Sequence, residues 1–271
     1  MTPIAVTIAG SDSGGGAGLQ GDLKTFSALG VYGACVVTAL TAQSTAGVAA
    51  IHDVPADFVA AQMDAVFSDL RVDAVKIGML SQPAVIHAVA AGLDRWRQRK
   101  VVLDPVMAAS SGERLLAPDA IDVLKRVLIP RALVLTPNLP EAAALSGTPV
   151  AQTQDDMREQ ARALLALGAK AVVIKGGHAQ GRDSVDLLVD RNGAVALPMI
   201  RIASRSPHGT GCAFSAAIAA GLAKGLDLEA ATRSAKRYVH AAIAAAGTLA
   251  IGSGPGPVHH FHAIWPALPP G

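Results

Sequence analysis

Cysteine, aromatic side chains and blocks of like charge are all scarce in this sequence, and each scarcity removes a class of protein. There are two cysteines in 271 residues, Cys35 and Cys212, far apart and in unlike surroundings. That excludes a disulfide scaffold and fits a reducing cytosol. Aromatics make up 3%, too few for a surface that stacks nucleic-acid bases. Lys and Arg are scattered and the net charge is +2, so no polyanion partner is expected. The opening MTPIAVTIAG has no basic region, no cleavage pattern and too short an apolar stretch to span a bilayer. A cytoplasmic protein without a membrane partner is expected. Nothing resembles a Pro-, Ser- or charge-rich linker, and no internal repeat occurs, so residues 1–271 read as a single domain.

What is present is apolar and small. Hydrophobic residues make up 51% and charged residues 16%, enough to bury a substantial core. Short β-branched runs alternate with longer helical patterns. Strands are expected over residues 4–9, 34–40, 74–78, 101–103, 132–135, 171–174 and 184–189, with a further one at 195–200. Helices are expected over residues 19–29, 55–70, 81–96, 156–167, 211–224 and 228–246, with another opened by Pro118. In the second of these, Phe58, Met63, Val66 and Phe67 fall near one face. Several strands are apolar throughout, as strands covered on both faces are. Repeated strand–helix units predict an α/β fold, a mainly parallel sheet between helix layers. Residues 252–271 read as irregular or briefly helical.

In such sheets ligands bind beyond the carboxyl ends of the strands, and four segments there carry chemistry. GSDSGGGAGLQGD, residues 10–22, contains a G-x-G-x-x-G match at Gly16, Gly18 and Gly21. It starts too far from the strand end and has no acid about 20 residues on, as a dinucleotide fingerprint needs, and no Lys-Ser or Lys-Thr follows for a phosphate loop. It is either a plain turn or a place where small residues admit a ligand to the backbone, with Asp22 as an acceptor. TALTAQST, residues 38–45, places Gln43 on a loop, where a carboxamide can pair with the ring nitrogen and amino group of an aminopyrimidine or simply be solvated.

Asp104, Asn138, Glu141 and Lys175 follow later strands. Carboxylates can hold Mg²⁺ directly or through water, and a lysine beside glycines can neutralise phosphate. Each also has an ordinary reading as turn former, first-turn acid or solvated cation. Finally, SPHGTGCAFSAAIAAGLAKG, residues 206–225, runs a glycine turn into an alanine-rich helix. The amides of Gly209, Thr210, Gly211 and Cys212 would form an anion hole at the positive end of the helix dipole. The same dipole should lower the Cys212 pKa. The other reading of Cys212 is a small packing residue, as Cys35 is expected to be. His259, His260 and His262 cluster without an interleaved Cys or carboxylate, and a metal site is not expected there.

Taken in order, IAGSDSGGGAGLQGDLKTFSALGVYG, TALTAQST, DAVKIGML, VVLDPVM, SGERLL, LTPNLPEA, VVIKGGH, HGTGCAFSAAIAAGLA and GPGPVHHF resemble the hydroxymethylpyrimidine/phosphomethylpyrimidine kinases of thiamine biosynthesis. The likeness runs from Ile4 to about Phe261. It implies a ribokinase-like three-layer α/β/α sandwich, commonly a homodimer. It also implies two ATP-dependent steps on 4-amino-5-hydroxymethyl-2-methylpyrimidine, first to the monophosphate and then to the diphosphate. By the resemblance, Gln43 reads the pyrimidine, and Gly10, Asp22, Met79 and Val106 line the substrate pocket. Asp104, Asn138 and Glu141 lie in the Mg–phosphate region, and Lys175 contacts phosphate. Gly209, Thr210, Gly211 and Cys212 form the anion hole, with Cys212 the base for the hydroxyl.

Two departures stand out. Ser206-Pro207 replaces the family's Asn-Thr, and proline removes a donor, which touches nucleotide contacts. Ser44 follows Gln43 where Asn is usual. Pyridoxal, another ring with a hydroxymethyl group, is the alternative acceptor. A cysteine hydrolase using Cys212 with His208, and a non-catalytic sensor, are the readings from other classes.

Overall fold

The computed structural model describes residues 1–108, 112–113, 115–117, 119–178, 182–204, 206 and 208–266. Eight strands form one sheet. In chain order they are β1 (Ile4–Ala9), β2 (Tyr32–Val37), β5 (Ala74–Ile77), β6 (Val101–Leu103), β7 (Val134–Leu135), β8 (Ala171–Ile174), β9 (Asp183–Asp190) and β10 (Gly193–Ile200). Across the sheet the order is β10-β9-β8-β7-β6-β5-β1-β2. The pairs from β2 through β8 are parallel, and β9 and β10 continue antiparallel at one edge.

Alternation along each strand explains the continuous apolar runs. Val75 and Ile77 of β5 face one core and Ala74 the other, and Leu103 and Val102 of β6 divide in the same way. One core packs beneath α2 (Ala56–Asp69), α3 (Pro83–Arg95) and α6 (Gln154–Ala166). The other packs beneath α1 (Gly18–Ala28), α7 (Thr210–Ala223) and α8 (Leu228–Ala244). That is the expected three-layer sandwich. Helix α7 is buried nearly all round, which accounts for its alanine content. A Cβ added at Gly221 would lie 2.8 Å from the Ala231 Cβ of α8, so the two helices cross in close contact.

Several expectations are corrected. Residues 34–40 are not one strand. The chain leaves the main sheet after β2 and forms a separate ribbon, β3 (Ala39–Ser44) with β4 (Gly47–Asp53). Gln43 therefore stands on a strand, not a loop. Phe58 is 61% exposed, because the buried stripe of α2 runs through Val59, Met63 and Phe67 and leaves position 58 off the face. Helix α3 begins at Pro83 with Gln82 at its N-cap, where Ser81 was expected to cap it; the Ser81 hydroxyl instead bonds Asp53. Helix α6 begins at Gln154, two residues before the expected start, because Thr153 caps it in a box with Asp156. Among the described residues, helices α4 (Ala120–Val123) and α5 (Leu139–Ser146) complete the set. The helix start expected at Pro118 and the Pro207 departure lie outside the described residues, as do parts of SGERLL and of the 252–271 tail. Among the described residues no helix is long and apolar enough to cross a membrane.

Candidate active site

A cavity of about 710 Å³ opens beyond the carboxyl ends of the parallel strands. Gly10 enters it after β1, Met79 after β5, Asp104 and Val106 after β6, Asn138 and Glu141 after β7, and Lys175 after β8. Gln43 reaches it from the ribbon, and Gly209, Thr210, Gly211 and Cys212 reach it from the opening turn of α7. The one residue of the expected set that does not line it is Asp22.

Asp22 lies wholly buried beneath the floor. Its Oδ2 accepts from Thr7 Oγ1 at 2.5 Å and from Lys76 Nζ at 2.7 Å, while Oδ1 has no hydrogen-bond partner. Burial pushes the Asp22 carboxyl up, against the pull of Lys76. Burial works to lower Lys76, but Asp22, with Cys212 and Asp104 behind it, outweighs that and raises it. Protonating Asp22 would leave a buried ammonium without its counter-ion, so the pair is ionised.

Lys175 is the centre of the polar half. Its Nζ lies 2.8 Å from Asp104 Oδ1 and 3.9 Å from Glu141 Oε2. Burial works to lower it, and those two carboxylates hold it up. Asp104 also accepts from Ser215 Oγ at 3.1 Å and Thr136 Oγ1 at 3.3 Å. Glu141 is pushed up to about 7 by burial, opposed by Lys175 and reinforced by Asp104. Asn138 and Glu141 form a reciprocal cap on α5: Asn138 Oδ1 accepts from the Glu141 N–H, and Glu141 Oε2 from the Asn138 N–H, both at 2.8 Å. This helix was not expected from the sequence; the first-turn-acid reading of Glu141 holds, and the capping role of Asn138 is new.

The turn before α7 depends on glycine. Gly209 has φ +81°, and a Cβ there would overlap the carbonyl oxygen of Gly16. No side chain caps the first turn. A Cβ on Gly211 would stand 3.3 Å from Lys175 Nζ, so the helix opening and the lysine address the same small volume. The expected lowering of Cys212 is overturned: burial pushes its thiol up to about 11, although Lys76 and the Gly18 backbone pull downward. Burial outweighs the helix end here, and the resting group is a thiol.

His208 does not serve Cys212. Its Nε2 lies 2.8 Å from Asp12 Oδ2, and the same carboxylate accepts from the amides of Gly14, Gly16 and Ala17 at 2.8–3.0 Å. Asp12 thus organises the glycine loop and ties it to the α7 turn. Among the described residues no Cys–His hydrogen bond of the kind a hydrolase needs is formed. The signal for Asp12 was present, an acid just ahead of a glycine run, and that for Lys76 was a charge inside the apolar AVKIG. Asp186, which accepts from the Gly176 N–H at 2.9 Å and pairs with Lys236 at 2.7 Å, was also missed. His260 is buried with Nε2 unpartnered, and burial pushes it down to about 4. Among the described residues no group of three or more His, Cys, Asp or Glu side chains is placed to hold a metal. A pair of carboxylates, Asp104 and Glu141, fits Mg²⁺ that keeps its waters and leans on phosphate.

A family model described as phosphomethylpyrimidine kinase matches residues 12–259. Over 265 residues the chain is 60% identical to the hydroxymethylpyrimidine/phosphomethylpyrimidine kinase of Rhizobium meliloti, covering 98% of this chain and 99% of that one. Among solved structures, pyridoxal kinase of Bacillus subtilis in an ADP complex matches with a TM-score of 0.88 at 37% identity, over 97% of this chain and 99% of that one. Phosphomethylpyrimidine kinase of Clostridium difficile matches at 0.79 and 42% identity, over 89% and 99%. The chain belongs to the phosphomethylpyrimidine kinase family, in a ribokinase-like fold.

Proposed function

We infer that this chain, residues 1–271 acting as one kinase domain, phosphorylates 4-amino-5-hydroxymethyl-2-methylpyrimidine from ATP to the monophosphate and then to the diphosphate, in thiamine biosynthesis. The observation that carries this reading is that Gln43 and the Lys175–Gly211 pocket line one cavity. A ring held by the carboxamide can then present its hydroxymethyl group to a phosphoryl group held at the helix opening.

In the first step the substrate hydroxyl oxygen attacks the γ-phosphorus, the bond to the bridging oxygen breaks, and ADP leaves. Lys175 and the amides of Gly209, Thr210, Gly211 and Cys212 stabilise the equatorial oxygens, which is the main catalytic task in phosphoryl transfer. Mg²⁺ would be held by Asp104 and Glu141 through water and would neutralise phosphate charge. Asn138 and Thr210 sit on the nucleotide side, and Gly10, Met79 and Val106 shape the ring pocket. Asp22 supports that pocket from below by fixing Lys76. Cys212 is the proton acceptor for the hydroxyl, in its ionised form. In the second step the acceptor is a phosphate oxygen, which needs no base.

Incubating the protein with Mg-ATP and the aminopyrimidine alcohol, with products followed by mass, tests this. Successive mono- and diphosphates are expected, and no product would refute the reading. Pyridoxal is the second acceptor to try, on the strength of the Bacillus subtilis likeness. We place the enzyme in the cytoplasm as a homodimer. Leu40 and Ile51, on opposite faces of the ribbon, are 50% and 40% exposed, and a second copy packed about the ribbon would cover them. Light scattering giving a single-chain mass would reject the dimer.

A further inference from the structure

Thr41 faces two acceptors with one proton. Its Oγ1 lies 2.8 Å from the carbonyl oxygen of Ser11 and 3.1 Å from Gln43 Oε1, and a hydroxyl donates once. The Ser11 carbonyl is nearer, and its residue is held in place. The Ser11 N–H donates to Ala39 O at 2.8 Å, and the Ser11 hydroxyl accepts from the Thr41 N–H at 3.2 Å. With its proton committed to Ser11, the Thr41 oxygen can only accept. The Gln43 atom facing it must then be the NH₂ group, which half a turn of the terminal amide supplies without moving anything else.

The rest of Gln43 has little freedom to respond in any other way. Its N–H donates to Ser13 Oγ at 2.8 Å, and its carbonyl accepts from that hydroxyl at 2.7 Å. The ribbon has a register shift between Ala42 and Gln43, and both Thr41 and Gln43 line the cavity. Thr41 is buried, so water does not compete freely for its oxygen.

We propose that Thr41 is a specificity-determining positioning residue that fixes the donor–acceptor order of the Gln43 carboxamide, and so favours a ring bearing an amino group beside a ring nitrogen over pyridoxal. The inference rests on the functional reading above. Because the hydroxymethyl group must point at the α7 turn, the ring cannot reverse its edge to suit the amide. One carboxamide order pairs Oε1 with the amino group and the remaining N–H with the ring nitrogen. Pyridoxal carries an aldehyde oxygen, an acceptor, where the pyrimidine carries that amino donor. Against it the same order sets acceptor against acceptor, and a site built for one pattern discriminates by the unpaired groups it leaves in the other.

The test compares kcat/KM for the aminopyrimidine alcohol and for pyridoxal in the wild type, Thr41→Val, Thr41→Ser and the double variant Thr41→Val with Gln43→Ala. Thr41→Val keeps the shape and loses the hydroxyl. It should lower the pyrimidine-to-pyridoxal ratio about tenfold, chiefly by raising the pyrimidine KM. Thr41→Ser should restore the ratio to within about twofold. In the Gln43→Ala background the valine should add nothing further. An unchanged ratio in Thr41→Val overturns the inference. So does a Thr41→Ser enzyme as impaired as the valine variant, since packing would then be the cause. A wild type that phosphorylates neither ring overturns the functional reading and this inference together. A wild type active on the pyrimidine, with the ratio insensitive to Thr41, overturns this inference alone.

Discussion

Cys212 and Lys76 show how burial sets the chemistry of single residues. A base must be deprotonated to act, and a thiol pushed up to about 11 is almost wholly protonated at neutral pH. The first phosphorylation should therefore accelerate about tenfold per pH unit across the range below that value. The second should not follow, because its nucleophile is already a phosphate oxygen. Separate single-turnover measurements from pH 7 upward decide this, and Cys212→Ala should flatten the first profile while sparing the second step. Equal losses in both steps would refute the division of labour. Lys76 makes a stability prediction. Lys76→Met leaves Asp22 buried and unpaired and should cost about 3–5 kcal/mol in urea unfolding, whereas Lys76→Met with Asp22→Leu should recover most of it. What the sequence hid here was depth. The helix-end position of Cys212 was legible and its surroundings were not, and Asp22 reads as a pocket residue because only the folded sheet puts it under Lys76.

At the scale of elements, legibility followed burial. Strands β1, β6 and β8 were readable to the residue, because both faces are covered and the run is apolar throughout, Thr7 of β1 excepted. The β3–β4 ribbon was not, since among the described residues its strands form a sheet of two and its Thr-Ala-Gln-Ser stretch reads as a polar loop. Helix α5 was missed for a related reason: its signal is the Asn138–Glu141 cap, and the first-turn-acid reading of Glu141 alone does not mark out a helix of eight residues. The turn into α7 was legible as a helix start because a glycine run leads directly into an alanine-rich stretch. Its precise placement comes from the contact of the Gly209 and Gly16 backbones, sealed by the Asp12–His208 bond. Gly209→Ala should force that contact apart and strain a φ of +81°. A turn displaced by about 1 Å costs on the order of a hundredfold in turnover. The expected result is a loss of that size in kcat with the circular dichroism spectrum unchanged, and full activity would dissociate the turn from catalysis.

Across the whole molecule, four segments far apart in sequence are laced together around the cavity mouth, and the carboxyl-terminal one does the lacing. Residues 252–260 run past the ribbon, the α7 turn and the glycine loop in succession. The Gly254 N–H donates to Thr45 Oγ1 at 3.2 Å, Pro257 bridges to His208, Val258 is fully buried, and the Tyr238 hydroxyl donates to the His260 carbonyl at 2.7 Å. The sequence showed GPGPVHHF only as part of a resemblance, because nothing local reveals what a glycine-proline strand will lie against. Gly254 has room for no side chain, since a Cβ would overlap the Thr45 carbonyl. Gly254→Val must therefore push the strap off the ribbon, two residues from Gln43, at the ribbon end of the strap rather than at its Pro257 contact with the α7 turn. Ring binding should suffer before phosphoryl transfer does. The pyrimidine KM should rise about tenfold, with kcat at saturating substrate and the ATP KM within about threefold of wild type. A fall in kcat with the pyrimidine KM unchanged would mean that the strap acts on the phosphoryl end instead.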